Sequence, residues 1–262
     1  MDLDDLRMYT NKFFSATDAS NLCYNTLHEL TPLYPNGNVE QPNIGNPLAW
    51  WRMTPNGTNT TQILDFAGTF NASNMPSVAG GPILITTNGA FYQFTGTNYF
   101  NVGSTSILPN TGDYTISAWI FFRGYPGATT IYSEDGDGNQ STKLAIESGS
   151  PVVTMFAYNG GYKNVTSSNT IAFDTWTHIA FTRSGTNGTL YINGVYNTNG
   201  VTQGTLATPR THTTIGVQQY GASSFNAYAQ NGDCLDDIRI FTNVLTATQI
   251  QSLADPSIIG RQ

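Results

Sequence analysis

Apolar and polar residues alternate with a period of two through most of the second half of this chain. In the run from Tyr114 to Phe122, Tyr114, Ile116, Ala118 and Ile120 share one face and Trp119 and Phe121 the other. Apolar side chains on both faces predict a central strand covered on each side. Residues 152–158 and 176–182 repeat the pattern. Shorter strands are predicted at 90–94, 99–102, 214–217, 225–229 and 235–241. Residues 190–192, then Asn193-Gly194, then Val195-Tyr196 form the strongest local hairpin signal, because Asn and Gly tolerate the positive φ of a tight primed turn. Together these elements predict an all-β chain folded as a sandwich of two antiparallel sheets.

The pattern also repeats over a long interval. Residues 3–10 read LDDLRMYT and residues 235–242 read LDDIRIFT, and the match continues, after one inserted Lys12, through 13–22 against 244–253. Both copies end on a helix-start signal, with Ser15 before Asp18 and Thr246 before Gln249 at capping-box spacing. A repeat separated by a domain length implies a tandem array. Residues 1–22 are therefore expected to be the terminal strand and short helix of an upstream repeat, with Met1 an introduced start. Residues 23–46, rich in Pro and Gly, read as a linker laid against a surface. Residues 47–254 form the sandwich and 255–262 a tail.

With 10 Lys and Arg against 17 Asp and Glu, the chain carries a net charge of -7. Its three lysines, Lys12, Lys143 and Lys163, form no basic run. Nucleic acid is excluded as an expected partner, since phosphate neutralisation needs clustered cations. Membrane insertion is also not expected, because no apolar run approaches the roughly 20 residues needed to span a bilayer. Asn and Thr supply much of the polar surface, a habit of secreted and particle-surface proteins. Cys23 and Cys234 are the two cysteines, so no disulfide-stapled scaffold is predicted, and either a mutual bridge or two separate thiols fits.

Gly112 to Ile120, Trp176 to Thr182, Leu190 to Gly194, and Leu235 to Phe241 followed by Leu245 to Ile250 resemble the laminin-G-like module of the concanavalin A-like lectin/glucanase superfamily. Leu48-Ala49-Trp50-Trp51-Arg52 and Asp65 resemble that module's first strand and following loop. The resemblance covers roughly residues 47–254 and implies a jelly-roll sandwich. The same sandwich serves carbohydrate binding, adhesion, glycan cleavage and structural roles.

For some modules of this kind the resemblance implies a calcium ion between an aspartate after the first strand and an acid at the start of the last strand. The matching positions are Asp65 with Asp236 or Asp237. An Asp–Arg pair using Arg239 is the alternative, and Phe66-Ala67-Gly68-Thr69-Phe70 departs from the usual glycine and asparagine pattern. The loop predicted at 133–139 offers Asp135, Asp137 and Asn139 as a second calcium set, because alternating oxygen donors and glycines can wrap a hard cation. A hydrated turn is its alternative. No cofactor is otherwise required.

Glycoside hydrolysis needs two carboxyl groups across the scissile bond. The chain has four glutamates, Glu29, Glu40, Glu134 and Glu147. None has the spacing that hydrolases of this superfamily use, two glutamates four residues apart on one strand, so no catalytic residue is assigned. His178, in a cleanly alternating strand, is expected to be a buried structural histidine with both ring nitrogens hydrogen-bonded.

Sugar recognition needs less: an aromatic ring for the apolar face of a pyranose and a few planar amides for its hydroxyls. Tyr158, Asn159 and Tyr162 surround the Gly160-Gly161 turn, while Tyr220, Phe225, Asn226 and Tyr228 flank a second glycine-bearing loop. Each group is a candidate platform. The expected function is a non-catalytic structural or adhesive module, extracellular or on a cell or virion surface. Its expected partners are homologous modules or neighbouring chains, met through residues 1–22, and weakly bound glycans. A dedicated calcium-dependent lectin is the alternative.

Overall fold

A computed structural model describes residues 44–56, 59–75, 83–85, 91–124, 127–136, 140–221 and 224–256. The repeat copy at 1–22, the linker up to residue 43, and Cys23 lie outside the described residues. The chain begins with β1 (Ala49–Asn56), β2 (Asn59–Asp65), β3 (Ala72–Met75), β4 (Ile83–Ile85), β5 (Phe91–Gln93) and β6 (Tyr99–Gly103). There follow β7 (Tyr114–Phe121), β8 (Thr129–Gly136), β9 (Gln140–Ile146), β10 (Val152–Tyr158), β11 (Tyr162–Thr170) and β12 (Trp176–Ser184). The chain continues through β13 (Asn187–Ile192), β14 (Val195–Val201), β15 (His212–Ile215), β16 (Gln218–Gly221), β17 (Ser224–Asn226) and β18 (Cys234–Phe241), then helix α1 (Ala247–Leu253).

Described strand pairings are antiparallel, and hydrogen bonding runs from β11 through β10, β9, β8, β15, β6, β3, β2, β1, β18, β7, β12 and β13 to β14. β5 joins β18, and β4 joins β5. The path curls back on itself, since the Ser168 amide of β11 donates to Asn197 Oδ1 of β14 at 2.8 Å. The two layers expected from sequence are thus parts of one continuous sheet. Rings close the core between them: Trp51 of β1 meets Tyr132 of β8 at 6.1 Å, and Tyr92 of β5 meets Phe100 of β6 edge-on at 4.8 Å. Ile116, Ala118 and Ile120 of β7 and Ile179 of β12 are fully buried in it, as their alternation predicts.

A second, smaller cluster lies on the outer face of β18, β7 and β12. Ile44, Ala180, Phe241 and Leu245 pack there with Ile250 and Leu253 of α1. The helix starts where its sequence signal lies, with Gln249 N donating to Thr246 Oγ1 and Thr246 N to Gln249 Oε1. The Asn193-Gly194 turn has φ of 49° and 75°. A Cβ on Gly194 would come within 2.9 Å of Gln251 Cα, so glycine is required both by the turn and by the helix packed on it. Trp119 is buried on this outer face, edge-on to His178, and its Nε1 donates to the Leu253 carbonyl at 3.2 Å. Trp119→Ala should therefore cost about 3–5 kcal/mol in a urea titration, through a cavity under α1. A loss below about 0.5 kcal/mol would contradict this packing.

The sequence reading of 133–139 as a loop needs correction. Residues through Gly136 are in β8, and Glu134 and Asp135 are both fully buried. Charge density marks a loop only when the charges are hydrated, and here protein donors replace water. A second correction concerns β10, read as covered on both faces. Met155 and Ala157 are buried inward, but Phe156 and Tyr158 are only half-buried on the outer face.

Candidate functional site

The outer face of β9, β10 and β11 is built by strand register. Lys143 of β9, Phe156 of β10 and Asn164 of β11 lie in one cross-strand row, and Tyr158 pairs with Tyr162 in the next row. Leu144, Met155 and Val165, one step along each strand, point into the core. The strands thus present a polar and aromatic face outward because their buried residues fix the alternation.

The β16–β17 hairpin covers part of this face. Gly216, at φ 86°, turns the chain out of β15 toward β16. Gln218 is then seated over β8 and β9. Its Nε2 donates to Ser141 Oγ at 2.9 Å and to Asp135 Oδ1 at 3.3 Å, while its Oε1 accepts from Lys143 Nζ at 2.7 Å. Ser133 Oγ donates to the other oxygen of Asp135. Burial pushes the Asp135 carboxyl up to about 6, against the opposing hydrogen bonds from Ser133, Ser141 and Gln218 and the charge of Lys143. Burial also lowers the Lys143 ammonium below its ordinary value.

Between hairpin and strands lies an open groove of about 530 Å³, lined by Ser141, Lys143, Phe156, Tyr162, Asn164, Gln218, Tyr220 and Asn226. Lys143 Nζ stands 4.6 Å from the centre of the Phe156 ring. Tyr162 and Tyr220 are 55% and 38% exposed, so their ring faces are available to a ligand.

The two aromatic groups read separately from sequence therefore meet. Tyr162 comes from the first and Tyr220 and Asn226 from the second. Tyr158 supports Tyr162 edge-on at 4.9 Å. Asn159 instead donates to the Thr205 carbonyl, and Phe225 and Tyr228 pack on Tyr99 at 5.2 and 6.3 Å, anchoring the hairpin. Lys143, Phe156, Asn164 and Gln218 were not selected from sequence. The alternation of Lys143 with Ser141 was a usable signal once 140–146 is read as a strand.

The family model of the laminin-G class in the concanavalin A-like lectin/glucanases superfamily matches residues 94–251, more than half of the chain. The chain belongs to this superfamily. No curated protein matches it. Among solved structures, domain 4 of AbnA, a GH43 extracellular arabinanase from Geobacillus stearothermophilus in complex with arabinotriose, aligns with TM-score 0.64 at 18% identity. That alignment covers 81% of this chain and 100% of that domain. The botulinum neurotoxin serotype G binding domain aligns with TM-score 0.59 at 15% identity, covering 82% of this chain and 54% of its own. The binding domain of botulinum neurotoxin DC in complex with SialylT aligns with TM-score 0.59 at 18% identity, covering 81% and 52%. The chain thus spans about half the length of these neurotoxin domains. At such identities the likeness is one of fold.

The calcium position implied by the superfamily does not fit a cation here. Asp65 Oδ1 accepts from the amides of Trp50 and Ala67, and Oδ2 from those of Thr69 and Phe70. The carboxylate caps the turn after β2, occupying both oxygens. Asp237 Oδ1 accepts from Trp50 Nε1 at 2.6 Å and Arg239 Nε at 3.0 Å, and its Oδ2 lies 3.0 Å from Arg239 Nη2. This is the Asp–Arg alternative, and Arg239 also stands 4.5 Å over the Trp50 ring. Asp236 is buried and accepts from the Asp237 amide. In the second set, Asp135 is committed to Ser133 and Gln218, while Asp137 and Asn139 lie outside the described residues.

His178 is buried and structural in position, with Nε2 3.2 Å from Ser117 Oγ. Nδ1 has no hydrogen-bond partner among the described residues, which departs from the expectation of two bonded nitrogens. Burial, with a smaller contribution from Arg239, lowers its pKa to about 3. Glu134, placed in a loop by sequence, instead forms a buried ion pair with Arg210, Nε to Oε2 at 2.8 Å. Cys234 is buried, with Sγ 3.4 Å from the Gly232 carbonyl. Among the described residues no helix is long and apolar enough to cross a membrane.

Proposed function

We propose that this domain is a non-catalytic glycan-binding module, with the groove over β9, β10 and β11 as its site. The observation that carries the reading is the convergence of two exposed tyrosines with the amides of Asn164 and Asn226 on one concave surface. Rings accept the apolar face of a pyranose and planar amides bond its hydroxyls. Among the described residues the groove lining contains no carboxylate, whereas glycosidic cleavage needs two, which supports binding over hydrolysis. The bound saccharides in the arabinanase-domain and neurotoxin structures support the same ligand class. The proposal requires no cofactor, since the donors around Asp65 and Asp237 are supplied by protein groups.

We further propose an extracellular or particle-surface setting. There the repeated segment at 1–22 would engage an adjacent module or neighbouring chain, and weak sites would gain strength through avidity. The repeat itself favours a second reading, a structural array element with no ligand.

A glycan array probed with the whole chain separates the two. Binding is expected, with Tyr162→Ala or Tyr220→Ala weakening the best hit about tenfold. Because both rings are exposed, each variant should retain wild-type stability to within about 0.5 kcal/mol. No binding to any array component, with the protein folded, would leave the structural reading.

A further inference from the structure

We infer that the groove selects an anionic sugar, one bearing a carboxylate or a sulfate, and that Lys143 is the residue that reads its charge. The inference rests on the groove being a glycan site. Among the described residues, Lys143 is the one charged residue in the groove lining. Its neighbours hold it in place without neutralising it by contact. Nζ donates to the neutral carbonyl of Gln218 and rests over the Phe156 ring, and no carboxylate lies within ion-pairing distance among the described residues.

An ammonium has three donors, and Gln218 takes one. Asp135 and Glu147 both act on Lys143 through their charge, and Asp135 is joined to it through the Gln218 amide, which bonds both. The cation is thus oriented, half-buried and short of acceptors at the wall of an open groove. A ligand carboxylate or sulfate would supply them. The chain as a whole carries net charge -7, so its long-range field repels anions. A preference for anionic sugars would therefore have to come from this local contact.

The test uses one disaccharide in three forms: neutral, oxidised to a terminal uronic acid, and 6-O-sulfated. Affinities are measured by calorimetry for the whole chain, Lys143→Gln and Lys143→Arg. The wild type should bind at least one anionic form about tenfold more tightly than the neutral form, as a hydrogen bond to a charged group implies. Preference for the uronate alone or the sulfate alone supports the inference and identifies the anion. Lys143→Gln should bring the anionic-to-neutral ratio close to one, and Lys143→Arg should keep the preference, which a merely structural lysine would not do. Equal binding of the three forms by the wild type would overturn the charge selection while leaving the groove as a glycan site. An unchanged preference in Lys143→Gln would also overturn the role of Lys143. Failure of all three forms, together with a blank array, would overturn the glycan reading itself.

Discussion

Arg210→Met should cost the domain about 3–5 kcal/mol, because it leaves Glu134 charged or protonated in the core without its cation. Both side chains are fully buried. Glu134 Oε1 also accepts from the amides of Ile107 and Leu108 and from the Tyr132 hydroxyl. Arg210 bonds the carbonyls of Ala207 and Leu108 and the Asn110 side chain. The pair ties the segment between β6 and β7 to β8 and to the segment before β15. Glu134→Leu combined with Arg210→Met should recover part of the loss, since it removes the unpaired charge but leaves the Ile107 and Leu108 amides and the Leu108 and Ala207 carbonyls without these partners. Urea titrations of the two singles and the double would show this as a large coupling. Single losses below about 1 kcal/mol would contradict it.

The pH dependence should show two opposed buried groups. The His178 pKa is lowered from 6.5 to about 3. Between those values the unfolded chain binds a proton that the folded chain refuses, so stability falls as pH drops from 6.5 toward 3. Over the full window this amounts to about 5 kcal/mol. Asp135 is raised from 3.8 to about 6. Between those values the folded state binds the proton more tightly, so acidification restores about 3 kcal/mol. Burial raises Asp233 as well, adding in the same direction as Asp135. Wild-type stability should hence not fall between pH 6 and 4 from these groups, because the Asp135 slope offsets that of His178 and Asp233 adds on the same side as Asp135. Asp135→Asn should remove one opposing slope and make stability fall more steeply on acidification, by about 1.4 kcal/mol per pH unit relative to wild type. His178→Gln should make stability rise by a similar slope over the same range. Parallel stability profiles for wild type and both variants, from urea titrations at pH 4, 5 and 6, would rule out these assignments.

What the sequence made legible follows its local physics. The alternation in β7 and β12, the Asn193-Gly194 turn and the Thr246–Gln249 capping box are each determined within a few residues, and each lies where the sequence places it. The strand β8 was obscured because Glu134 and Asp135 look hydrated until their partners are known. Arg210 is 76 positions from Glu134, and Gln218 is 83 from Asp135. The groove was legible as two aromatic clusters and invisible as one site. Its unity depends on the register that aligns Lys143, Phe156 and Asn164 and on Gly216 directing β16 over them. Selecting Asn159, Phe225 and Tyr228 by proximity alone overlooks that the Thr205 carbonyl and the Tyr99 ring engage those side chains. The repeat at 1–22 lies outside the described residues, and it belongs to a scale that a single domain does not display.

The most direct measurement of the central claim is a two-dimensional amide NMR titration of the whole chain with the tightest-binding glycan from the array. Shift changes should concentrate at Lys143, Phe156, Tyr162, Asn164, Tyr220 and Asn226, spanning β9, β10, β11, β16 and β17 together. Saturable changes centred on Trp50, Asp65 and Asp237, with the groove amides unmoved, would contradict the account by placing the binding face on the other side of the sandwich path.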